Sequence, residues 1–499
     1  MRLAVVRCVL GLAAVGGACA VVDAAAAQRA PEAGVIVVEQ ELEASLDSAT
    51  LRQLEILRLL IRAAGIMDTL YREQVDGEGF YPADMSREEF DAWNDPAAAD
   101  PHTVVRRDAA GALVAVPYHE AWPTELGHAA RLLAQAAEIS TDESLRHYLT
   151  QRARALITGD YARAEAAWRA MRYSDLDVLI GPILRDADRR FGLRAGFGAY
   201  VMLRDWGWGA RLAAFTVFLP RVQASLPVAE SFKAEVPDVD MKVAVYDLLF
   251  HAGYGAARAD SVTPEEPGEP RLRIRQGPQR LQLRNVTQAR FDALVQPVAD
   301  ALIAPEQHGH VRFDPFFLNT MFHEMAHALG MRETVTARGP VNAALREHAD
   351  TIEELKAAVL SLWLANWLNA NGAMRGTAPM DHYASLLAGV FRAVHIDADS
   401  ATGRAHMMLF NYFRDWGAFR RDAATGRYRV DAADIGPAIA ALAAQVLTIQ
   451  GSGDYEGAAE LIRAMAAPRA EFRADLERRA AAGIPAAVVF RPPDELPGL

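Results

Sequence analysis

A chain of 499 residues exceeds what one hydrophobic core usually organises, and an apolar share of 51% is ample for two sizeable lobes. The formal net charge of -12 excludes a nucleic-acid binder, which needs clustered Lys and Arg in surplus, and leaves peptides or small molecules as partners. Both cysteines, Cys8 and Cys19, lie near the N-terminus, so the rest of the chain has neither a disulfide nor a thiolate ligand, and any metal must be held by His and carboxylates.

The chain starts with Arg2, apolar residues interrupted by Arg7, a short apolar run and small residues ending at Ala20. This is the pattern of a signal peptide, too short to span a bilayer, with cleavage expected after Ala20 or Ala27. Residues 1–27 are therefore read as a leader, and the mature protein as exported, periplasmic or secreted, without a stable membrane span. A lipid anchor at Cys19 is the alternative, although Gly16 stands where a leucine is usual.

Residues 39–73 carry Leu42, Leu46, Leu51, Leu54, Leu57, Leu60, Ile61 and Ile66 at helical spacing, which predicts an amphipathic opening helix. A stretch rich in Pro, Asp and Gly over 76–101 breaks it, and 103–116 alternates around Asp108 and Gly111 as a hairpin would. Helical patterns fill 124–169, residues 177–183 read as a strand, and the polar segment 256–280 as a surface loop or lobe connector. From Asp314 onward the pattern is mainly helical, with Asp314 a candidate N-cap, Pro315 at the first helical position and Gly330 beyond the last turn. A second long helix is expected over 341–369, more helices to about 479, and coil over 484–499. The expected fold is α+β and predominantly helical, with a mixed lobe over 28–235 and a mainly helical lobe over 236–499.

The run His323-Glu324-Met325-Ala326-His327 is HExxH on a helix. Histidines at i and i+4 leave one face, so both imidazoles can reach one zinc ion, while Glu324 beside them can take the proton from an attacking water activated by that ion. A catalytic zinc also needs a third protein ligand and an open position. Glu353 and Glu354 follow in the second helix, far enough on for a connecting loop over 334–340. Spacing alone leaves that pair open, because two adjacent glutamates on a helix usually form a solvated face.

With these residues in hand, the chain resembles the dipeptidyl-peptidase III family of zinc peptidases, and more closely its bacterial and Nudix-associated members. In that family the histidine helix is followed by a Glu-Glu-x-Lys/Arg-Ala-acidic motif, which here reads Glu353-Glu354-Leu355-Lys356-Ala357-Ala358. Similar segments are also found over 103–108, 116–118, 177–183, 281–292 and 310–367. The resemblance implies one zinc per chain, Glu354 as the third ligand, a peptide or small amide substrate, and a cleft between two lobes. It implies a role for His406, in the segment Gly403-Arg404-Ala405-His406-Met407, as the histidine that faces the metal and stabilises the transition state. Two departures stand out. The true dipeptidyl peptidases have an extra residue within the histidine motif, so strict dipeptide release is not carried over. The acidic residue that ends the family motif, where it can orient a ligand histidine, is Ala358 here; Asp350, one turn before Glu354, and Glu353 are the remaining candidates for that task.

Other residues receive plainer readings. His308 and His310 could form a His-x-His pair on a strand but are assigned structural roles, and His348 is off the face of Glu354. Arg404 and Arg414 could bind a substrate carboxylate, and Trp206 and Trp208 are expected in the core.

Overall fold

The computed structural model describes residues 37–41, 46, 49–75, 79–171, 173–184, 187–237, 239, 243–253, 261–262, 280–396 and 398–491. The expected leader over 1–27, with Cys8 and Cys19, most of the 256–280 segment and the last eight residues lie outside them.

The opening helix runs Leu51–Val75 and buries Ile56, Leu57, Leu60, Ala63, Ala64, Met67 and Leu70 along one stripe. It starts later than the apolar spacing predicts because Thr50 and Gln53 cap it reciprocally. Gln53 Oε1 accepts from the Thr50 amide at 2.8 Å, and Thr50 Oγ1 accepts from the Gln53 amide at 3.3 Å. The segment before it, Val37–Glu41, is instead a strand paired in parallel with Ala487–Arg491, so the end of the chain read as coil is partly a strand. The hairpin forms as expected, with Thr103–Arg107 antiparallel to Leu113–Pro117. Asp108 Oδ1 accepts from the amides of Ala110 and Ala112 across its turn, and Gly111 takes a φ of 83° there.

Behind these lies a five-stranded mixed sheet in the order Leu176–Leu184, Gly196–Arg204, Val243–Ala252, Arg280–Leu283, Ser261–Val262. Each of the first three strands is antiparallel to its neighbour, and Val243–Ala252 runs parallel to Arg280–Leu283. Gly196–Arg204 is buried along nearly its whole length, so it lacks the polar alternation that marks a strand in sequence. One core joins this sheet to the helices Leu51–Val75, Pro123–Ile139 and Glu143–Thr158.

A second core is built from helices: Phe313–Ala326, Ala349–Ala370, Pro379–Ile396, Ala401–Trp416 and Ile435–Ser452. The fold is thus α+β and predominantly helical. The two cores interleave along the chain. Leu212, Phe215, Leu219 and Val222 belong to the helical core, while Ala244, Tyr246 and Leu248 belong to the sheet core. Among the described residues Ile435–Ser452 alone is long and apolar enough to cross a membrane, and it is packed inside the helical core against Ala349–Ala370.

Candidate metal centre

Phe313–Ala326, here called the histidine helix, is a core helix. Phe317, Leu318, Met321, Phe322, Met325 and Ala326 are buried around most of its circumference, and only a narrow face carries polar groups. Its N-cap is Arg312, which makes no side-chain capping bond, and Asp314 lies one residue inside the helix, ion-paired with Arg211 at 3.2 Å. The expectation that Asp314 caps the helix is therefore corrected: an apolar anchor, Phe313 stacked on Phe317 at 5.4 Å, sets the entry instead. The helix closes at His327, and Gly330 turns the chain with a φ of 87°. Two carbonyls left free at this end, those of His327 and Leu329, accept from the buried Lys356 Nζ at 3.3 and 2.8 Å. Gln223 holds Gly330 through both its amide and its carbonyl.

The second helix is divided. Val341–Leu345 is followed by a 3-10 turn, Arg346–His348, and only then by Ala349–Ala370, here the glutamate helix. Arg346 adopts a φ of 52° at the break. The glutamate helix packs on the histidine helix, and its Ile352, Leu355, Val359 and Leu362 are fully buried in the shared helical core. That packing turns Glu353 and Glu354 toward the two histidines.

His323, His327 and Glu354 each offer one donor atom, and these atoms lie within 4.8 Å of one another. His323 Nε2 is 3.3 Å from Glu354 Oε2, and His327 Nε2 is 3.9 Å from Glu354 Oε1. Ligands at about 2.0–2.1 Å from a tetrahedral zinc stand about 3.4 Å apart, so the cluster is already near the required spacing. His327 Nε2 is buried and has no hydrogen-bond partner, although a buried ring nitrogen normally finds one. Burial lowers the His327 pKa in spite of the Glu353 hydrogen bond that raises it, which favours the neutral imidazole a metal requires. Burial alone would raise the Glu354 carboxyl, but the hydrogen bond and charge of His323, with His327 and Thr402, hold it down at about 2. An anionic carboxylate, a neutral imidazole and an orphaned lone pair facing the same space fit a divalent cation.

Glu353 faces the other side of His327. Its Oε1 accepts from His327 Nδ1 at 2.8 Å and from Lys356 Nζ at 2.8 Å, and its Oε2 accepts from Gln450 Nε2 at 2.8 Å. Burial opposes ionisation there too, yet the charge of Lys356 and the hydrogen bond from His327 bring Glu353 to about 2. Asp350 is exposed at the start of its helix and makes no hydrogen bond to either histidine. Ala358 is 2% exposed within the helical core. Of the two carboxylates read as possible histidine partners, Glu353 is the one placed against a histidine.

Glu324 is half-buried beside His323. His406 is half-buried on Ala401–Trp416, one turn beyond Thr402, whose Oγ1 donates to Glu354 Oε2 at 2.9 Å. His406 Nδ1 donates to the Thr402 carbonyl at 2.9 Å, leaving Nε2 as the nitrogen available to a ligand. Burial lowers its pKa, and the nearby His323 lowers it further while Glu354 opposes the shift.

The other residues are otherwise engaged. His308 and His310 lie in a 3-10 helix, Pro305–His310, and not on a strand; one ring binds the Ile303 carbonyl at 2.9 Å and the other Asp381 at 2.7 Å. Arg404 holds Thr351 and the Asp399 carbonyl, and Arg414 holds Glu471. His348 lies against Tyr455. Trp208 packs edge-on against Phe317 of the histidine helix, while Trp206 is 43% exposed and stacked by Arg204. Thr402 and Gln450 were not singled out in the sequence, because neither belongs to a spaced motif and each arrives from a helix distant along the chain.

Fold and cluster together define a mostly helical α+β protein with a two-histidine, one-glutamate site suited to a divalent cation. Its structure is similar to that of dipeptidyl-peptidase III from Caldithrix abyssi, with a TM-score of 0.82 and 28% identity over 91% of this chain and 97% of that one. It is also similar to dipeptidyl-peptidase III from Corallococcus sp. strain EGB, with a TM-score of 0.69 and 25% identity over 91% and 95% of the two chains. In sequence it is 30% identical over 420 residues to Nudix hydrolase 3 of Arabidopsis thaliana, which covers 77% of this chain and 53% of that protein. The chain thus spans about half the length of the curated relative it matches, and no protein-family profile matches it. The resemblance to dipeptidyl-peptidase III read from the sequence is thus supported by the fold over 91% of the chain.

Proposed function

We propose that the chain is an exported zinc metallopeptidase that hydrolyses peptide or related amide bonds. The observation that carries this reading is the convergence of His323, His327 and Glu354 around the unpartnered Nε2 of His327. When bound there, zinc would polarise the scissile carbonyl and acidify a water. Glu324 would take the proton of the attacking water and return it to the leaving amine, a base becoming an acid. His406 would donate from Nε2 to the developing oxyanion. Its Nδ1 proton is committed to the Thr402 carbonyl, so this donation needs the imidazolium, and the oxyanion itself would raise the ring's proton affinity at that moment. The substrate would lie between the mixed and the helical lobes, where closure would exclude water.

A second reading is a weak or inactive exported binding protein that keeps the fold. It is favoured by Ala358, an apolar buried residue where the family motif has a carboxylate. The deciding experiment is zinc content and hydrolysis of short peptides for the purified protein and its Glu324→Gln variant. About one zinc per chain in both, with turnover lost only in the variant, is expected. Turnover retained by the variant would overturn the role of Glu324, and zinc without turnover in either protein would favour the second reading.

A further inference from the structure

Gln450 is 1% exposed in the Ile435–Ser452 helix, among the buried Val446, Leu447 and Ile449. A primary amide in such surroundings is retained only at a cost unless its groups are used. Here one half is used and the other is not: Nε2 donates to Glu353 Oε2 at 2.8 Å, while Oε1 has no partner. A carboxylate can only accept, so the amide must present its NH2 to Glu353, and the orientation follows from chemistry. The next residue fixes the position of the amide. A Cβ on Gly451 would fall 2.2 Å from the Phe232 ring, and the Gly451 carbonyl accepts from the Val335 amide at 2.8 Å, so this end of the helix is pinned on two sides.

Glu353 is in this way held by donors from three elements: His327 at the end of the histidine helix, Lys356 one turn along its own helix, and Gln450 from a third helix. Lys356 and His327 both bond Oε1, so Gln450 is what restrains Oε2. Without it the carboxylate is free to rotate about its axis and share both oxygens with the Lys356 ammonium. The bond that fixes His327 in its Nδ1–H form, with the Nε2 lone pair toward Glu354, would then loosen.

We propose that Gln450 is a positioning residue for the metal centre, acting through Glu353 to orient His327. The inference rests on the zinc reading given above. The test is a zinc affinity titration against a chromophoric chelator for the full chain and its Gln450→Met variant, with denaturation of both metal-free proteins. Methionine fills a similar volume without a donor, and Gln450→Ala serves if methionine is not accommodated. The expected result is a zinc Kd raised about tenfold, the lower end of what loss of an outer hydrogen bond to a metal-ligating histidine produces, with a metal-free stability equal to or above wild type. Nitrogen NMR of the His327 ring should show the Nδ1–H signal of the metal-free protein weakened or shifted in the variant. A variant that binds zinc as tightly as wild type, or loses stability with no change in Kd, would overturn the proposal while leaving the zinc site standing. A wild-type protein that binds no zinc would overturn the zinc reading itself, and this proposal with it.

Discussion

Replacing Glu353 by alanine removes the acceptor of three donors at once: His327 Nδ1, Lys356 Nζ and Gln450 Nε2, each at 2.8 Å. Two consequences separate. His327 loses the bond that sets its tautomer and ring angle, so zinc affinity is expected to fall about 10- to 100-fold, or roughly 1.4–2.7 kcal/mol. Lys356 remains as an ammonium 3% exposed, with only the carbonyls of His327 and Leu329. Breaking a buried ion pair by removing one partner costs about 3–5 kcal/mol, and because the Glu353 side chain is 36% exposed the lower end applies. Glu353→Gln should fall between wild type and Glu353→Ala, since it keeps an oxygen for Nδ1 but loses the charge that roughly doubles such a bond. Adding Lys356→Met to Glu353→Ala should restore stability and leave zinc affinity low. Chelator competition at fixed pH measures the first quantity and urea denaturation of the metal-free protein the second. A Glu353→Ala protein that holds zinc within twofold of wild type would refute the reasoning.

His406→Ala should lower kcat/KM for peptide hydrolysis by about 100-fold, the usual loss for one oxyanion donor, with zinc content unchanged; loss of zinc in that variant would show that the residue supports the ligands instead. Gly330→Ala should destabilise the metal-free protein by about 1–3 kcal/mol in urea denaturation, because φ is 87° and a Cβ would stand 2.9 Å from Leu447 and 3.4 Å from Lys356. Burial holds His251 and His382 at about 4, below their ordinary 6.5. The unfolded chain takes up these protons from about pH 6.5 downward and the folded chain only near 4, so the stability they permit is whole above 6.5 and lost as pH falls through that interval, by roughly 3 kcal/mol each. Denaturation midpoints that stay level from pH 7 to 4.5 would contradict this.

The helical character, the hairpin over 103–116 and the strand over 177–183 were legible because each has a local cause: a repeating apolar stripe, an Asp-Gly turn, a β-branched run closed by Gly-Pro. The strand Gly196–Arg204 was not, because a strand buried on both faces shows no alternation, and Val37–Glu41 was hidden because its partner lies at the other end of the chain. Asp314 misled for a physical reason as well: a good capping residue is only a preference, and packing of Phe313 on Phe317 starts the helix two residues earlier.

At the candidate centre, sequence by itself determined that His323 and His327 share a helix face, since four residues bring an α-helix back to nearly the same angle. It also determined, through the absence of cysteine beyond Cys19, that only imidazoles and carboxylates can serve there as ligands. Which carboxylate meets which histidine was decided only by how the helices pack. Glu353 and Glu354 are adjacent and chemically alike, yet one lies against His327 Nδ1 and the other faces Nε2 of both rings. Gln450 was beyond any local reading, because its meeting with Glu353 is set by the docking of the Ile435–Ser452 helix on the glutamate helix, and no repeat or spacing records such a contact.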